Sequence, residues 1–274
     1  MNRNGIVYFA GFFLFVSLCA GCAVLPPKDL VLFDASETCP PRDDAQLEEN
    51  LNRFGDTTDT ITLQCALEHF RGAKEQRITE CAAGVKICFL LADRTEADQA
   101  SRERLAAEGI RWAEHALAQG GEERGDVYYY QAVNLGITVE KHPITAVKSL
   151  DRIVASLEKA VALAPDIHHA GPYRVLGMVY LKAPPWPRGI GDGDKALEIM
   201  AEAVRRSPAY PLNRIFYARA LWEVEGEDAE REIATNLEEA LRLMSSEQWM
   251  PVKERWIDDV TDIAGKAKVD LPVR

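Results

Sequence analysis

The chain has 274 residues, of which 47% are apolar and 27% charged, a composition that suits a folded globular body and argues against disorder. Its net charge is −11 and no Lys/Arg cluster interrupts the acidic surface, so the electrostatic footprint of a nucleic-acid binder is missing.

The N-terminus carries Arg3, then an apolar run from Ile6, then "LCAGC" ending at Cys22. A basic residue, an apolar stretch and small residues before a cleavage point describe an export signal over residues 1–21. The ending resembles the lipobox of bacterial lipoproteins. Ala20 and Gly21 fit it, and Cys19 stands where Leu is preferred. The resemblance implies lipidation at Cys22, and Ala23 in the next place implies sorting to the outer membrane. The alternative is an uncleaved spanning helix, because Ile6–Leu25 is uncharged and long enough to cross a bilayer. Either reading puts the body on the periplasmic side of a bacterial membrane.

Residues 22–45 hold several prolines and no clean period, and read as a tether. Helical periodicity over 46–274 predicts one all-α domain, with "VYYYQAV" at 127–133 taken as helix despite its β-forming residues. In an exported chain, Cys39, Cys65, Cys81 and Cys88 suggest two disulfides. Cys65 and Cys81 are symmetric about residue 73, so an antiparallel helix pair turning there would place them face to face. Cys39 is then left for Cys88, and free buried thiols are the alternative.

A repeat begins to show in the second half. Tyr173, Leu176, Gly177 and Tyr180 precede Ala196, Met200, Ala203 and Pro208; Ile153, Leu157, Ala160 and Pro165 repeat the latter spacing, and Ile233, Leu237 and Ala240 repeat most of it. Over about residues 100–245 the chain resembles the tetratricopeptide repeat (TPR) family, whose unit is about 34 residues. The resemblance implies a right-handed superhelix of stacked antiparallel helix pairs, each covering its neighbour's apolar face. The clearest repeats span about 126–245, and residues 251–268 read as a capping helix. The small-residue place of the earlier unit falls on Ala132 or Gly136. From Gly177 to Ala196 there are 19 residues where the family uses about 12, so "KAPPWPRGIGDGD" is an insertion between paired helices.

That loop supplies contact candidates: Trp186 among prolines, Asp192 and Asp194, with one of the two aspartates expected to cap the following helix. Its glycines lack the strand-loop-helix context and the Lys-Ser/Thr of a phosphate cradle. Two carboxylates without a closing Glu do not make a calcium loop. Adjacent His168 and His169 diverge by about 100° on a helix, and read as surface or cap residues rather than a metal site. No nucleophile-base set appears, and the expectation is a non-catalytic protein without metal or cofactor.

The TPR resemblance implies a concave binding groove. Its register places Tyr129, Arg174, Met178, Leu181, Lys182, Ile215, Arg219, Trp222 and Glu223 there. The leader, the irregular repeats and "GDGDKAL" together also resemble the periplasmic T-component of TRAP transporters, although that family has adjacent glycines where this chain has Asp192-Gly193-Asp194. The expected role is a membrane-tethered adaptor that docks an envelope protein or peptide, with a periplasmic substrate-binding protein as the partner and a homo-oligomer as a further form. The alternative is a small organic-anion binder using the same groove.

Overall fold

The computed structural model describes Cys39 and residues 53–73, 76–95 and 98–271. The predicted leader, the lipidation site Cys22 and nearly all of the tether lie outside the described residues. Among the described residues no helix is long and apolar enough to cross a membrane.

Ten α-helices follow one another among these residues: α1 (Thr60–Gly72), α2 (Ile78–Ala92), α3 (Gln99–Ala118), α4 (Gly125–Val139), α5 (Pro143–Leu163), α6 (Ile167–Lys182), α7 (Gly193–Arg206), α8 (Pro211–Val224), α9 (Glu230–Met244) and α10 (Lys253–Ala267). Among the described residues no strand forms, and 127–133 belongs to α4. Consecutive helices pack as pairs, α2 with α3, α4 with α5, α6 with α7, and α8 with α9. Helices two apart also touch: α2 with α4, α4 with α6, α6 with α8, and α8 with α10.

The pairing follows from small residues at the crossings. A Cβ on Gly177 would fall 2.5 Å from Cγ of Met200, so α6 and α7 reach their spacing only because position 177 has no side chain. Gly84 plays the same part against the Trp112 ring between α2 and α3. In α4, Ala132 is buried, whereas a Cβ on Gly136 would meet nothing within 4 Å, so Ala132 holds the small-residue place.

Two apolar cores result. One runs from Phe54 to Ala196, and the other from Tyr210 through Trp249 and Trp256 to Ala267. A helix, α10, does form within 251–268, with Trp256, Val260 and Ile263 buried.

The cysteine pairing differs from expectation. Cys39 bonds to Cys65, and Cys81 and Cys88 are free and buried. The reason is helical register. α1 packs through Leu63, Ala66, Leu67 and Phe70, and Cys65 lies off that stripe. Cys81 is turned instead toward Gln76 and Gln119, and burial pushes its thiol up to about 12. Alkylation of unfolded, unreduced protein followed by peptide mapping is expected to label Cys81 and Cys88 and to spare Cys39 and Cys65; label on Cys65 would refute this pairing.

Candidate functional site

The first half of α2, the first turns of α4 and α6, the 53–57 segment and residues 248–249 enclose a cleft of about 950 Å³. That size suits a small-molecule site. Its back wall is a buried polar cluster built around His168.

The backbone there is unusual. His168, His169 and Ala170 all have positive φ, 48°, 57° and 61°, before a right-handed helix resumes with Pro172 in its first turn. Each non-glycine residue in this region costs about 1–2 kcal/mol. Such strain persists only where surroundings over-determine it, and it concentrates at functional sites.

The surroundings here are specific. Arg174, on the next turn of α6, reaches back to the carbonyls of His168 (3.4 Å) and His169 (3.3 Å) and donates to Oδ1 of Asn213 at 2.6 Å. Asn213 Nδ2 donates to the His169 carbonyl at 3.0 Å. Nδ1 of His168 lies 2.7 Å from the Tyr129 hydroxyl, and its Nε2 lies 3.2 Å from both carboxylate oxygens of Asp56. The Tyr210 hydroxyl donates to Asp56 Oδ2 at 2.7 Å. Nε2 of His168 thus faces the Asp56 carboxylate, and Nδ1 shares a hydrogen bond with the Tyr129 hydroxyl.

Asp56 is the anion of this cluster. Burial pushes its carboxyl up, but the pull and hydrogen bond of His168, the Tyr210 hydroxyl and Arg174 outweigh that and hold it well below the usual carboxylate range. Burial pushes the Tyr129 hydroxyl up to about 12 and Tyr210 well above its ordinary value, so both phenols stay neutral. Asp56 also ties down its own segment, because Arg94 donates to the carbonyls of Asp56 (2.8 Å) and Gly55 (3.1 Å).

Most lining charges are already matched. Arg77 pairs with Glu80, Arg124 with Asp126, and Asp166 with Arg206. Lys86, half-buried on α2, makes no ion pair or hydrogen bond among the described residues. Burial lowers its pKa, against the distant pull of Asp56 and Asp126. Among the described residues no group of His, Cys, Asp and Glu could hold a metal ion.

The structure redistributes the residues expected to line a groove. Tyr129 and Arg174 are 1% and 3% exposed and belong to the buried cluster, 3.5 Å apart, so they are not open groove contacts. The covering groups come from far along the chain, Asp56 on one side and Tyr210 on the other. Lys182 is exposed but lies 2.5 Å from Glu223, and Arg219 lies 2.5 Å from Asp259. Ile215 is fully buried, and Met178, Leu181 and Trp222 are half-buried. The groove cations are therefore compensated within the chain.

His168 is also not the surface or cap residue its sequence context suggests, since its side chain is 7% exposed. Asp56, Lys86 and Asn213 were outside the sequence expectation; only the Pro172 that follows two histidines hints at an irregular start to α6.

The insertion loop lies between α6 and α7. Asp192 caps α7 by accepting from the Lys195 amide at 3.0 Å; Asp194 lies within the first turn. Trp186 is 85% exposed. No family model matches the chain, and no curated protein matches it.

Proposed function

We propose that this chain is a non-catalytic, membrane-tethered binding protein of the bacterial envelope, its helix pairs wound as a TPR-like superhelix, and that its cleft takes a small organic anion. One observation carries the reading: Lys86 presents an ammonium to an open cleft in which the other cations have partners of their own. Leaving a half-buried cation unmatched is costly, and a bound carboxylate would relieve it. The first turns of α2 and α4 add favourable dipole ends on the same cleft.

Calorimetric titration with acetate, succinate, citrate and indole-3-acetate tests this. At least one should bind, and Lys86→Met should weaken it at least tenfold, about 1.4 kcal/mol. If none binds, or if Lys86→Met binds as wild type does, the cleft reading fails.

A second reading, the adaptor, is favoured by Trp186. An indole left in water on a Pro-bracketed loop loses little freedom on docking. In its specific form the protein is a T-component-like accessory of a TRAP uptake system, docking a periplasmic substrate-binding protein and presented by the lipid at Cys22. Crosslinking in intact membranes with a photoreactive residue at 186 should capture a discrete partner. Capture that is unchanged by moving the probe to exposed Ile144 on α5 would count against it.

A further inference from the structure

Resting on the cleft reading above, we propose that the ligand is a monocarboxylate with a flat aromatic body, its carboxylate on Lys86 and its ring against the open face of His169.

The charge inventory sets the ligand's charge. Three carboxylates line the cleft, and each has a partner: Asp56 with His168, Asp126 with Arg124, and Asp166 with Arg206. Among the lining cations, Arg77 and Arg124 are committed to Glu80 and Asp126, and Arg53 has an interaction of its own. One ammonium is left for the ligand. A second negative charge would find no cation and would sit among the lining acids at an electrostatic cost. His169 does not alter this count. Burial, then the nearby His168, pushes its pKa down to about 4, so its ring is neutral at pH 7.

His169 and the rings behind it set the ligand's body. Tyr130, His169 and Trp249 belong to a run of ring contacts that crosses the molecule. Tyr130 packs on Tyr129 at 4.8 Å, His169 stacks on Tyr210 at 4.3 Å and 21°, and Trp249 meets His169 at 5.4 Å and Trp256 at 5.7 Å. Tyr130 and Trp249 are themselves buried, so of the three only His169 keeps an open face, fixed from behind by buried Tyr210 while lining the cleft in front. A ring already held in place loses no further freedom when a flat ligand stacks on it. Offset or edge contacts of this kind add to binding beyond the apolar area they bury.

The test compares indole-3-acetate, its neutral isostere indole-3-acetamide, and succinate on the full chain by calorimetry. Indole-3-acetate should bind at least tenfold tighter than either of the others. Lys86→Met should abolish the preference for acid over amide and leave the amide's own binding unchanged. His169→Asn keeps a residue that tolerates positive φ, and should weaken both indole ligands several-fold with the melting temperature preserved.

Succinate binding as tightly as indole-3-acetate overturns the aromatic assignment and leaves the organic-anion reading intact. A preference for acid over amide that survives in Lys86→Met overturns the anchoring role of Lys86. No binding by any anion of the panel removes the cleft reading and this inference with it.

Discussion

Arg174→Ala is expected to destabilise the fold by about 3–4 kcal/mol, near the top of single-residue effects. The side chain is buried, and it supplies the donors for the carbonyls of two left-handed residues and for Asn213. Its guanidinium also lies 4.9 Å from the centre of the Tyr210 ring. Truncation takes the donor from the His168 carbonyl and from Oδ1 of Asn213, leaves the His169 carbonyl to Asn213 alone, and removes the group that offsets the backbone cost of the 168–170 turn. Arg174→Lys should recover little, because one ammonium cannot reproduce a planar fork that serves several acceptors. Arg219→Ala is the control. Its partner Asp259 is more than a third exposed, and a pair of that kind contributes about 0–1 kcal/mol. Urea denaturation, with near-ultraviolet circular dichroism following the Tyr and Trp cluster, distinguishes the two. An Arg174→Ala protein within about 1 kcal/mol of the Arg219→Ala protein would mean that the turn does not depend on Arg174.

The contrast between these arginines shows what the sequence could convey. The helices were legible because helical periodicity is local, and the crossing of α6 on α7 was legible because Gly177 and Met200 stand at a repeating separation. The crossing of α2 on α3 was less so: Gly84 meets Trp112 there, a large aromatic outside the repeat pattern. Helical register identifies neighbours but not what covers them. Arg174 and Tyr129 do come together, yet whether they face solvent is decided by Asp56, 112 residues before His168, and by Tyr210, 42 residues after it. No local pattern encodes those contacts. The left-handed turn was hidden for a related reason. Its residues are His, His and Ala, none of which announces positive φ as Gly would, and it is held by side chains, Arg174 nearby and Asn213, Tyr129 and Asp56 from afar. Cys65 illustrates the same limit on a smaller scale, since its symmetry with Cys81 about residue 73 said nothing of which side of α1 packs on α2.

Asp56→Ala is expected to cost about 3–5 kcal/mol at neutral pH, the range for breaking a buried charged pair by removing one partner. The loss strands Nε2 of His168 and the Tyr210 hydroxyl, and it frees the 53–57 segment from its contact with α6 and α8. Asp56→Asn should cost less, because one oxygen remains to accept from Tyr210. The pH dependence fixes the cause. The folded carboxyl is held below its ordinary value of about 3.9. Its contribution is therefore complete above that value and is lost as pH falls below it, because the unfolded chain then takes up the proton first. The stability difference between wild type and Asp56→Ala should stay level from pH 7 to about 5 and shrink below about 4. His169 adds a separate slope. Its folded pKa of about 4 lies below the ordinary 6.5, so the unfolded chain binds more protons between those values and stability falls as pH drops through that window. That slope belongs to both proteins and is removed from each by His169→Asn, which leaves the Asp56 effect to be read alone. A difference that shrinks between pH 6.5 and 5 in the His169→Asn background would assign the stabilisation to a group other than Asp56.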